Sequence, residues 1–438
     1  GGAGAEHDGG TAGVISTSIK EGSDEFQVAG SWQRDNLGGN TNSGWNTDIG
    51  EFSFGGKLKV KNRKFYFFNN VTLNLTDDYF GPTAKQLHSS LLTANDSFCA
   101  PRQSNQFTHT LKLSHELNQK TKITITNQHS LTVNQSTRSL QIVGFDAILA
   151  PGYQFDRSLN LDNATTYTHS SNLTAINIRR TITEKLVGTL TLGRLFTNLR
   201  ADANGRPFRT NSVDQVYDEQ SIVTNPVQVF NPNGFIQYVL PGPGLINNGG
   251  ISSTWHDHFA SEHTIKTNFK YYPKDKTHQM NFGWEHKLNE YQWVDVTRPW
   301  VGAPIQINDS ISTPSISIGS SNDIWRVKPN NGGLFFSDKI QYKGIIANLG
   351  ARFNYWAPGK FVDDAVNNPT APVIDQVRED YKSHTVKVFG LRYKARVLPK
   401  INVSFPVTNN NVLYFNYSHS MRLPHPRFVY AGLDPEYQ

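Results

Sequence analysis

The stretch GGLFFSDKIQYKGIIANLGARFNYWAPG, from Gly332 to Gly359, decides the fold, because apolar and polar residues alternate along it on both sides of a tight turn. In an extended chain one face of this stretch is apolar, and its residues are Leu334, Phe336, Ile340 and Tyr342 before the turn at Lys343-Gly344 and Ile345, Ala347, Leu349, Ala351, Phe353 and Tyr355 after it. Period-two alternation around a short turn predicts a β-hairpin with one apolar face.

The opposite face of the second predicted strand is polar. It carries Asn348, Arg352 and Asn354, with Gly350 between them. Two environments suit such a hairpin. Its apolar face could pack on a second sheet while the polar face meets solvent, or the apolar face could meet lipid while the polar face lines the lumen of a barrel.

Composition narrows the class of protein. Of 438 residues, 18% are charged and 12% are aromatic. This balance favours an outer-membrane barrel or a secreted all-β protein over a cytoplasmic enzyme. The single cysteine, Cys99, excludes an internal disulfide framework. No apolar run approaches the ~18 residues of a membrane helix, so any membrane crossing must use strands.

The formal net charge of +6 raises the question of a nucleic-acid partner. The lysines and arginines are scattered along the chain and form no basic helix or arm. Scattered basic residues are typical of a solvated surface, so we expect no binding of nucleic acid.

The hairpin pattern recurs along the chain. Residues 48–60 and 65–75 alternate on either side of the turn KNRK. Further strand pairs are predicted at 106–117 with 122–133, 172–183 with 186–199, 262–272 with 277–293, and 394–405 with 411–420. A lone first strand around Phe26 brings the total to about thirteen strands.

Long and short connections alternate strictly between these strands. The long ones are 77–105, 135–170, 200–261, 295–331 and 357–393. A soluble sandwich has no reason to collect every long connection at one end, whereas outer-membrane barrels have short periplasmic turns and long external loops. The pattern therefore predicts an all-β, transmembrane antiparallel β-barrel, with the half-buried face of a soluble sheet as the alternative.

Several stretches resemble one family. SDKIQYKGIIANLGARFNYWAPG resembles the mid-barrel hairpin of TonB-dependent outer-membrane receptors, particularly the Bacteroidetes-type members related to Oar, although Asn354 stands where the family has Asp. LPKINVSFPVTNNNVLYFNYSHSMRLP is similar to a later hairpin of the family, with Lys400 where Arg is usual. FGGKLKVKNRKFYFFNNV looks like an early hairpin, and AEHDGGTAGVISTSIKEGSDEFQVAGSW is similar to the end of the plug domain running into the first barrel strand.

The resemblance implies a domain organisation. Residues 1–22 would be the C-terminal tail of the plug, and residues 23–438 the N-terminal and middle part of the barrel. Receptors of this kind close with 22 strands. We therefore expect this chain to be a portion of a longer receptor.

The resemblance also implies a function without covalent chemistry or a cofactor. External loops would capture a ligand, and the TonB-ExbB-ExbD complex, acting through the plug, would supply the energy for import. The expected location is the outer membrane of a Gram-negative bacterium. The bilayer, lipopolysaccharide and surface lipoproteins or other outer-membrane subunits are the expected partners.

Two other functions stay open. The chain could be a structural or adhesive barrel that does not transport. It could also be a secreted all-β protein that binds or hydrolyses carbohydrate, which for hydrolysis would need paired carboxylates in a groove. Neighbouring acids such as Asp363 and Asp364 fall in a predicted loop without an aromatic platform.

No catalytic constellation is found, and the chain is not expected to be an enzyme. No serine sits in a Gly-x-Ser-x-Gly elbow. The stretch WHDHFASEH offers His256, His258 and His263 with Asp257, and closely spaced histidines can bind a metal ion. We favour a polar external loop entering a strand, and predict no metal site.

The candidate ligand-binding residues are aromatic and basic side chains of the long connections, because such side chains are good anchors in exposed loops. They are Tyr79, Phe80, Tyr153, Phe155, Trp255, Arg298 and Trp300. The same residues would equally suit an aromatic belt at the membrane interface. Alternation predicts that Asn348, Arg352 and Asn354 face the lumen and contact the plug.

Overall fold

The computed structural model describes residues 4–7, 18–35, 47–60, 63–76, 104–136, 165–203, 254–275, 277–297, 321–408 and 411–433, and the backbone of seven short strand segments. Among these described residues, no helix has both the length and the apolar character needed to span a membrane.

Most of the described chain belongs to one antiparallel sheet of fifteen strands. The strands are β1 (Gln27–Arg34), β2 (Asp48–Val60), β3 (Arg63–Thr76), β4 (Ser104–Asn118), β5 (Thr121–Ser136), β6 (Thr165–Thr183), β7 (Leu186–Ala203), β8 (Thr254–Tyr271), β9 (His278–Thr297), β10 (Ser321–Val327), β11 (Asn330–Tyr342), β12 (Ile345–Ala357), β13 (Val386–Val388), β14 (Leu391–Thr408) and β15 (Asn411–Ser418). The seven short segments, which form three small sheets, are Phe155–Asp156, Val223–Thr224, Val227–Phe230, Ile236–Val239, Ile246–Asn247, Ile305–Ile307 and Ser310–Ser312.

The strands follow one another as an up-and-down meander. Each strand from β1 to β9 pairs with the next, β9 pairs with both β10 and β11, and β11, β12 and β14 continue the sheet. Both β13 and β15 pair with β14. The thirteen predicted strands are all present, with β10 and β13 in addition. Within the described part of the chain, the sheet is open between β1 and β15.

The short connections lie at one end of the sheet, as predicted. Residues 119–120, 184–185 and 343–344 join neighbouring strands, and the long connections leave the opposite end. The strands extend further toward the long connections than predicted: β8 begins at Thr254 and β6 at Thr165. The prediction ended these strands early because the polar residues of their outer segments, such as His256 and Asp257 of β8, are typical of a loop.

The two faces of the sheet differ in polarity. In the β11–β12 hairpin, Leu334 and Phe336 are 53% and 50% exposed, whereas Phe335 and Ser337 are 4% and 6% exposed. Leu334 pairs with Phe353 across the hairpin, and both lie on one face, as predicted from the alternation. The register continues this outer face across the sheet, and it carries the exposed side chains Val28, Phe52, Leu58, Leu113, Ile125, Leu192, Ile265, Phe282, Leu349 and Phe353.

An aromatic cluster with polar tips lies on this outer face. The hydroxyl oxygen of Tyr355 accepts a hydrogen bond from Trp284 Nε1 at 3.1 Å and lies 2.9 Å from His286 Nδ1. Tyr393 packs edge-on against Tyr355, with ring centroids 6.1 Å apart. Aromatic rings with one polar end are typical of the girdles around membrane barrels.

The connection 357–393, predicted as a loop, contains two helices. They are α1 (Lys360–Asn367) and α2 (Asp375–Ser383), and a third helix, α3 (Pro426–Tyr430), follows β15. A small core joins them to β10, formed by the buried residues Trp325, Val327, Val362, Val366 and Tyr430.

Asp363 has a structural role between these helices. Its carboxylate accepts hydrogen bonds from the Tyr381 hydroxyl at 2.9 Å and from the backbone N–H of Arg392 at 3.1 Å. Because both carboxylate oxygens are bonded and the residue is buried, Asp363 joins α1 to α2 and β14 instead of lining a groove.

Candidate functional site

A network of charged side chains covers the middle of the inner face. Register places Lys266 of β8 opposite Glu285 of β9, and Glu285 Oε2 lies 3.6 Å from Lys266 Nζ and 3.2 Å from Arg352 Nη2. Lys287 Nζ lies 3.9 Å from the other oxygen of Glu285 and 2.9 Å from Glu262 Oε1. Three cations therefore surround Glu285.

The predicted lumen residues lie on this face. Arg352 and Asn354 are each 1% exposed, and Arg352 Nε donates to Asn354 Oδ1 at 2.6 Å. Asn348 lies two positions from Gly350 on the same face and is partly buried. Alternation along β12 therefore predicted the direction of all three side chains. It missed Glu285, whose link to Arg352 depends on the register between strands.

The N-terminal segment rests on the inner face. Lys400 Nζ donates to the carbonyl oxygens of Gly4 at 3.0 Å and His7 at 2.9 Å, and Lys266 Nζ donates to that of Glu6 at 3.2 Å. Ala5 is buried above Gly350, where an added Cβ would lie 3.0 Å from Ala5 Cβ. The glycine thus allows the segment to approach the sheet closely.

A second stretch of the N-terminal region contacts strands β2 to β5. The Ile19 carbonyl accepts from Lys112 Nζ at 2.8 Å, and the Glu21 carboxylate lies 2.6 Å from Lys122 Nζ. Asp24 forms an ion pair with Lys57 of 2.6 Å. Lysines of the inner face therefore hold both described parts of the N-terminal region.

A cluster of aromatic, imidazole and carboxylate groups lies on the inner face at the end of the sheet that carries the long connections. We call His256, His258, Trp293, Asp295 and Asp323 the mouth cluster. His256 Nδ1 and His258 Nε2 each donate to Asp295 Oδ1 at 2.6 Å, and Trp293 Nε1 donates to Asp295 Oδ2 at 2.7 Å. Register sets Asp323 opposite Asp295.

Aromatic stacking fixes the mouth cluster. The His258 and Trp293 rings are stacked at 3.7 Å between centroids, and Trp293 stacks on Trp325 at 5.6 Å. From α3, the Arg427 guanidinium lies 5.9 Å from the Trp293 ring centroid, and its Nε lies 3.9 Å from Asp323 Oδ2. The cluster thus offers flat rings, a cation and carboxylates.

Two carboxyl pKa values in the mouth cluster shift in opposite directions. The cluster lies near the far end of the 20-residue strand β9, beyond the ~9–11 residues that cross a bilayer from the short-turn end. Burial would raise the pKa of Asp295, but hydrogen bonds from His256 and His258 outweigh it and hold that pKa well below its usual range. Burial, together with the charge of Asp295, raises the pKa of Asp323.

The histidine motif is arranged differently from the sequence expectation of a polar loop. His256 and His258 lie within β8, on its inner face. His263 is exposed on the outer face opposite Leu288, and Asp257 accepts from Asn198 Nδ2 on that outer face. The carboxylate partner is Asp295 of the next strand, which only the hairpin register could have revealed.

Most of the candidate ligand-binding residues predicted in the long connections lie outside the described residues. Tyr79, Phe80, Tyr153, Arg298 and Trp300 lie outside them, as does Cys99, and Phe155 is described only by its backbone.

Trp255 corrects one expectation, because it lies in β8 instead of an exposed loop. It is 6% exposed on the outer face, with the Arg200 guanidinium 5.5 Å from its ring centroid. A side chain so covered is not an exposed anchor.

Solved structures share this fold. The outer membrane transporter YddB from Escherichia coli matches 92% of this chain with a TM-score of 0.52 and 11% identity, and 44% of that protein is covered. A variant of the ferric enterobactin receptor PfeA from Pseudomonas aeruginosa matches 100% of this chain with a TM-score of 0.52 and 13% identity, and 49% of that receptor is covered.

The chain therefore spans less than half the length of either structure. No family model matches it, and no curated protein matches it. At this level of identity the comparison shows the fold, which is that of the barrel of outer-membrane transporters. The predicted fold class is thus confirmed, and the fold agrees with the predicted location in the outer membrane.

Proposed function

We propose that this chain is part of a TonB-dependent receptor of the outer membrane, of the Bacteroidetes-type, Oar-like kind. Such a receptor binds a ligand with its external loops and imports it with energy coupled through TonB. The observation that carries the proposal is the two-faced sheet, which is apolar and exposed outside and charged inside. In water an apolar face of this extent would drive association, whereas in a bilayer it is the stable surface.

The contacts of the N-terminal region support the assignment of residues 1–22 as the tail of a plug and of residues 23–438 as barrel. The tail is held by lysine side chains that donate to carbonyl oxygens, as Lys400 does to Gly4. In a wet lumen, water competes for such bonds, each of which contributes about 1.5–3 kcal/mol. A pull transmitted from the TonB-ExbB-ExbD complex could therefore displace the plug and leave the barrel intact.

Ligand capture is proposed at the end that carries the long connections. The mouth cluster supplies stacked rings and charges on the inner wall there, which suit a polar ligand with flat groups. The loop residues Tyr79, Phe80, Tyr153, Phe155, Arg298 and Trp300 are proposed as further contacts. Lipid and lipopolysaccharide would surround the barrel, and a surface lipoprotein or another outer-membrane subunit is a proposed partner.

The test is uptake by cells that lack the full-length gene. Deletion cells are supplied in turn with ferric chelates, cobalamin, oligosaccharides or peptides as the limiting nutrient, and uptake of the labelled nutrient is measured. We expect one uptake activity to be lost on deletion, restored by the wild-type gene, and absent from cells lacking TonB.

Other outcomes would replace the proposal. A protein that fractionates with the outer membrane but whose loss changes envelope integrity or adhesion and no uptake would be a structural barrel. A protein recovered in the medium, soluble without detergent, would be a secreted β-protein.

A further inference from the structure

Three potential metal ligands converge in the mouth cluster. His256 and His258 are two residues apart on β8, so both imidazoles project from the same face. Asp295 is the register partner of His256 on β9. His256 Nδ1, His258 Nε2 and a carboxylate oxygen of Asp295 all lie within 4.8 Å of one another. The side chains remain 16–26% exposed, so a small ion can reach them.

We propose that His256, His258 and Asp295 bind a divalent transition-metal ion, and that Zn²⁺ fits the site best. Two imidazole nitrogens exclude Ca²⁺ and Mg²⁺ as preferred ions, because these take oxygen ligands. Two histidines and one carboxylate are the ligand set of open zinc sites, in which a fourth position is left for water or an incoming ligand.

The distances fit this ion after a small adjustment. Ligand atoms around a tetrahedral Zn²⁺ lie about 3.3 Å apart when the bonds are ~2.0–2.1 Å long. Both imidazole nitrogens now lie 2.6 Å from Asp295 Oδ1, so each separation must grow by ~0.7 Å. We expect rotation of the three side chains to supply this movement and to bring the two imidazole nitrogens, now within 4.8 Å of each other, to the same separation.

Neighbouring groups orient the ligands in advance. Trp293 Nε1 donates to Asp295 Oδ2 at 2.7 Å and stacks on His258, so it fixes the carboxylate and one imidazole together. Outer hydrogen bonds of this kind raise metal affinity by about 10–100-fold. The Asp323 carboxylate, opposite Asp295, would offset the charge that remains on the bound ion, and Arg427 Nε lies 3.9 Å from Asp323 Oδ2.

The experiment is a metal titration of the full-length protein, purified in detergent from its membrane and stripped with a chelator. Zn²⁺ is titrated by calorimetry, and Co²⁺ is added separately so that its visible absorption reports the coordination geometry. We expect one ion per chain and an intense tetrahedral Co²⁺ band. His256→Gln and His258→Gln should each weaken Zn²⁺ binding at least ~100-fold, and Trp293→Phe, which keeps the stack, about 10-fold.

His263→Gln is the matched control, because His263 is on the same strand but on the outer face, and it should bind Zn²⁺ like wild type. The resistance of each folded barrel to unfolding in cold detergent shows that a variant has folded. Failure of wild type to bind Zn²⁺ more tightly than Ca²⁺, or an equal loss in His263→Gln and His258→Gln, would overturn the proposal. The binding assay does not depend on transport, so its result stands whether or not uptake is found.

Discussion

At the scale of single residues, the inner face shows how a buried charge is accommodated. Arg352 is almost fully buried, and its guanidinium is matched by Glu285 and by the amide oxygen of Asn354. An unpaired charge in such a position would be costly, whereas a hydrogen-bonded pair is tolerated. Lys266 and Lys287 complete the surroundings of Glu285, so the loss of one cation leaves two others beside its carboxylate.

We predict that Arg352→Met lowers the free energy of unfolding of the full-length protein by about 1.5–3 kcal/mol, because Glu285 loses its closest charged hydrogen-bond partner but keeps Lys266 and Lys287 nearby. The measurement is urea unfolding in detergent micelles. Arg326→Met is the control: Arg326 also pairs with a glutamate, at 2.7 Å, but is 60% exposed, so its replacement should cost about 0–1 kcal/mol. Equal costs for both variants would show that the Arg352 pair is solvated.

Residue-level prediction from the sequence succeeded where one strand contained the information. The alternation around Gly350 gave the direction of Arg352 and Asn354 without knowledge of any neighbour. Glu285 and Asp295 were missed because their partners lie on other strands and depend on the register. The pairing register of two strands can be derived only when the exact residues of the turn that joins them are known.

At the scale of elements, a hairpin has one face for lipid and one for the lumen. Phe336 projects outward and is 50% exposed, whereas Asn348 of the neighbouring strand projects inward. The same substitution at the two positions should therefore change the free energy of unfolding by different amounts.

We predict that Phe336→Lys destabilises the full-length barrel in lipid vesicles by about 2–4 kcal/mol, because a charge would be buried in hydrocarbon. Asn348→Lys, the control, should change the free energy of unfolding by less than ~1 kcal/mol, since the lumen is polar. Unfolding from vesicles followed by tryptophan fluorescence measures both. A larger cost at Asn348 than at Phe336 would reverse the assignment of the faces.

Glycines within strands allow a second prediction at this scale. A Cβ at Gly283 would collide with the carbonyl oxygen of Thr267 and lie 2.7 Å from Cζ of Phe335. Gly283→Ala should therefore cost about 1–3 kcal/mol by overpacking. Gly193→Ala is the matched control on β7, where the nearest atom to the new Cβ would be 3.8 Å away.

Both variants replace a strand glycine by alanine, so the unfolded chain loses the same conformational freedom in each. The difference between their free energies of unfolding therefore isolates the contact at Gly283. If Gly283→Ala and Gly193→Ala unfold at the same urea concentration, β8 and β9 can separate without cost at this point.

The existence of most elements was predictable, but their ends were not. Period-two alternation revealed the thirteen long strands because each has one apolar face. At the outer end of β8, where the mouth cluster lies, polar residues on both faces (His256 and His258 inside, Asp257 outside) interrupt the alternation. The helices of 357–393 were missed because α1 has eight residues, too few for a clear helical period, and contacts with β10 and α3 stabilise it.

At the scale of the whole molecule, the question is how firmly the N-terminal region is attached to the sheet. Its residues 4–7 contact strands far apart in the sequence, β8 through Lys266 and β14 through Lys400. These bonds connect a short segment to two distant parts of the wall. In the proposed receptor, this attachment must hold at rest and release under a pull.

We predict that the double variant Lys266→Met, Lys400→Met loosens this segment while the barrel stays folded. Hydrogen bonds to charged groups contribute ~1.5–3 kcal/mol each, so amide exchange within residues 4–7 should accelerate at least tenfold. Hydrogen–deuterium exchange followed by mass spectrometry of the full-length protein measures this rate. Lys339→Met, a control on the inner face of β11, should leave it unchanged. If exchange were equally slow in the double variant, apolar contacts such as that of Ala5 over Gly350 would hold the segment, and a pull would have to break packing as well as hydrogen bonds.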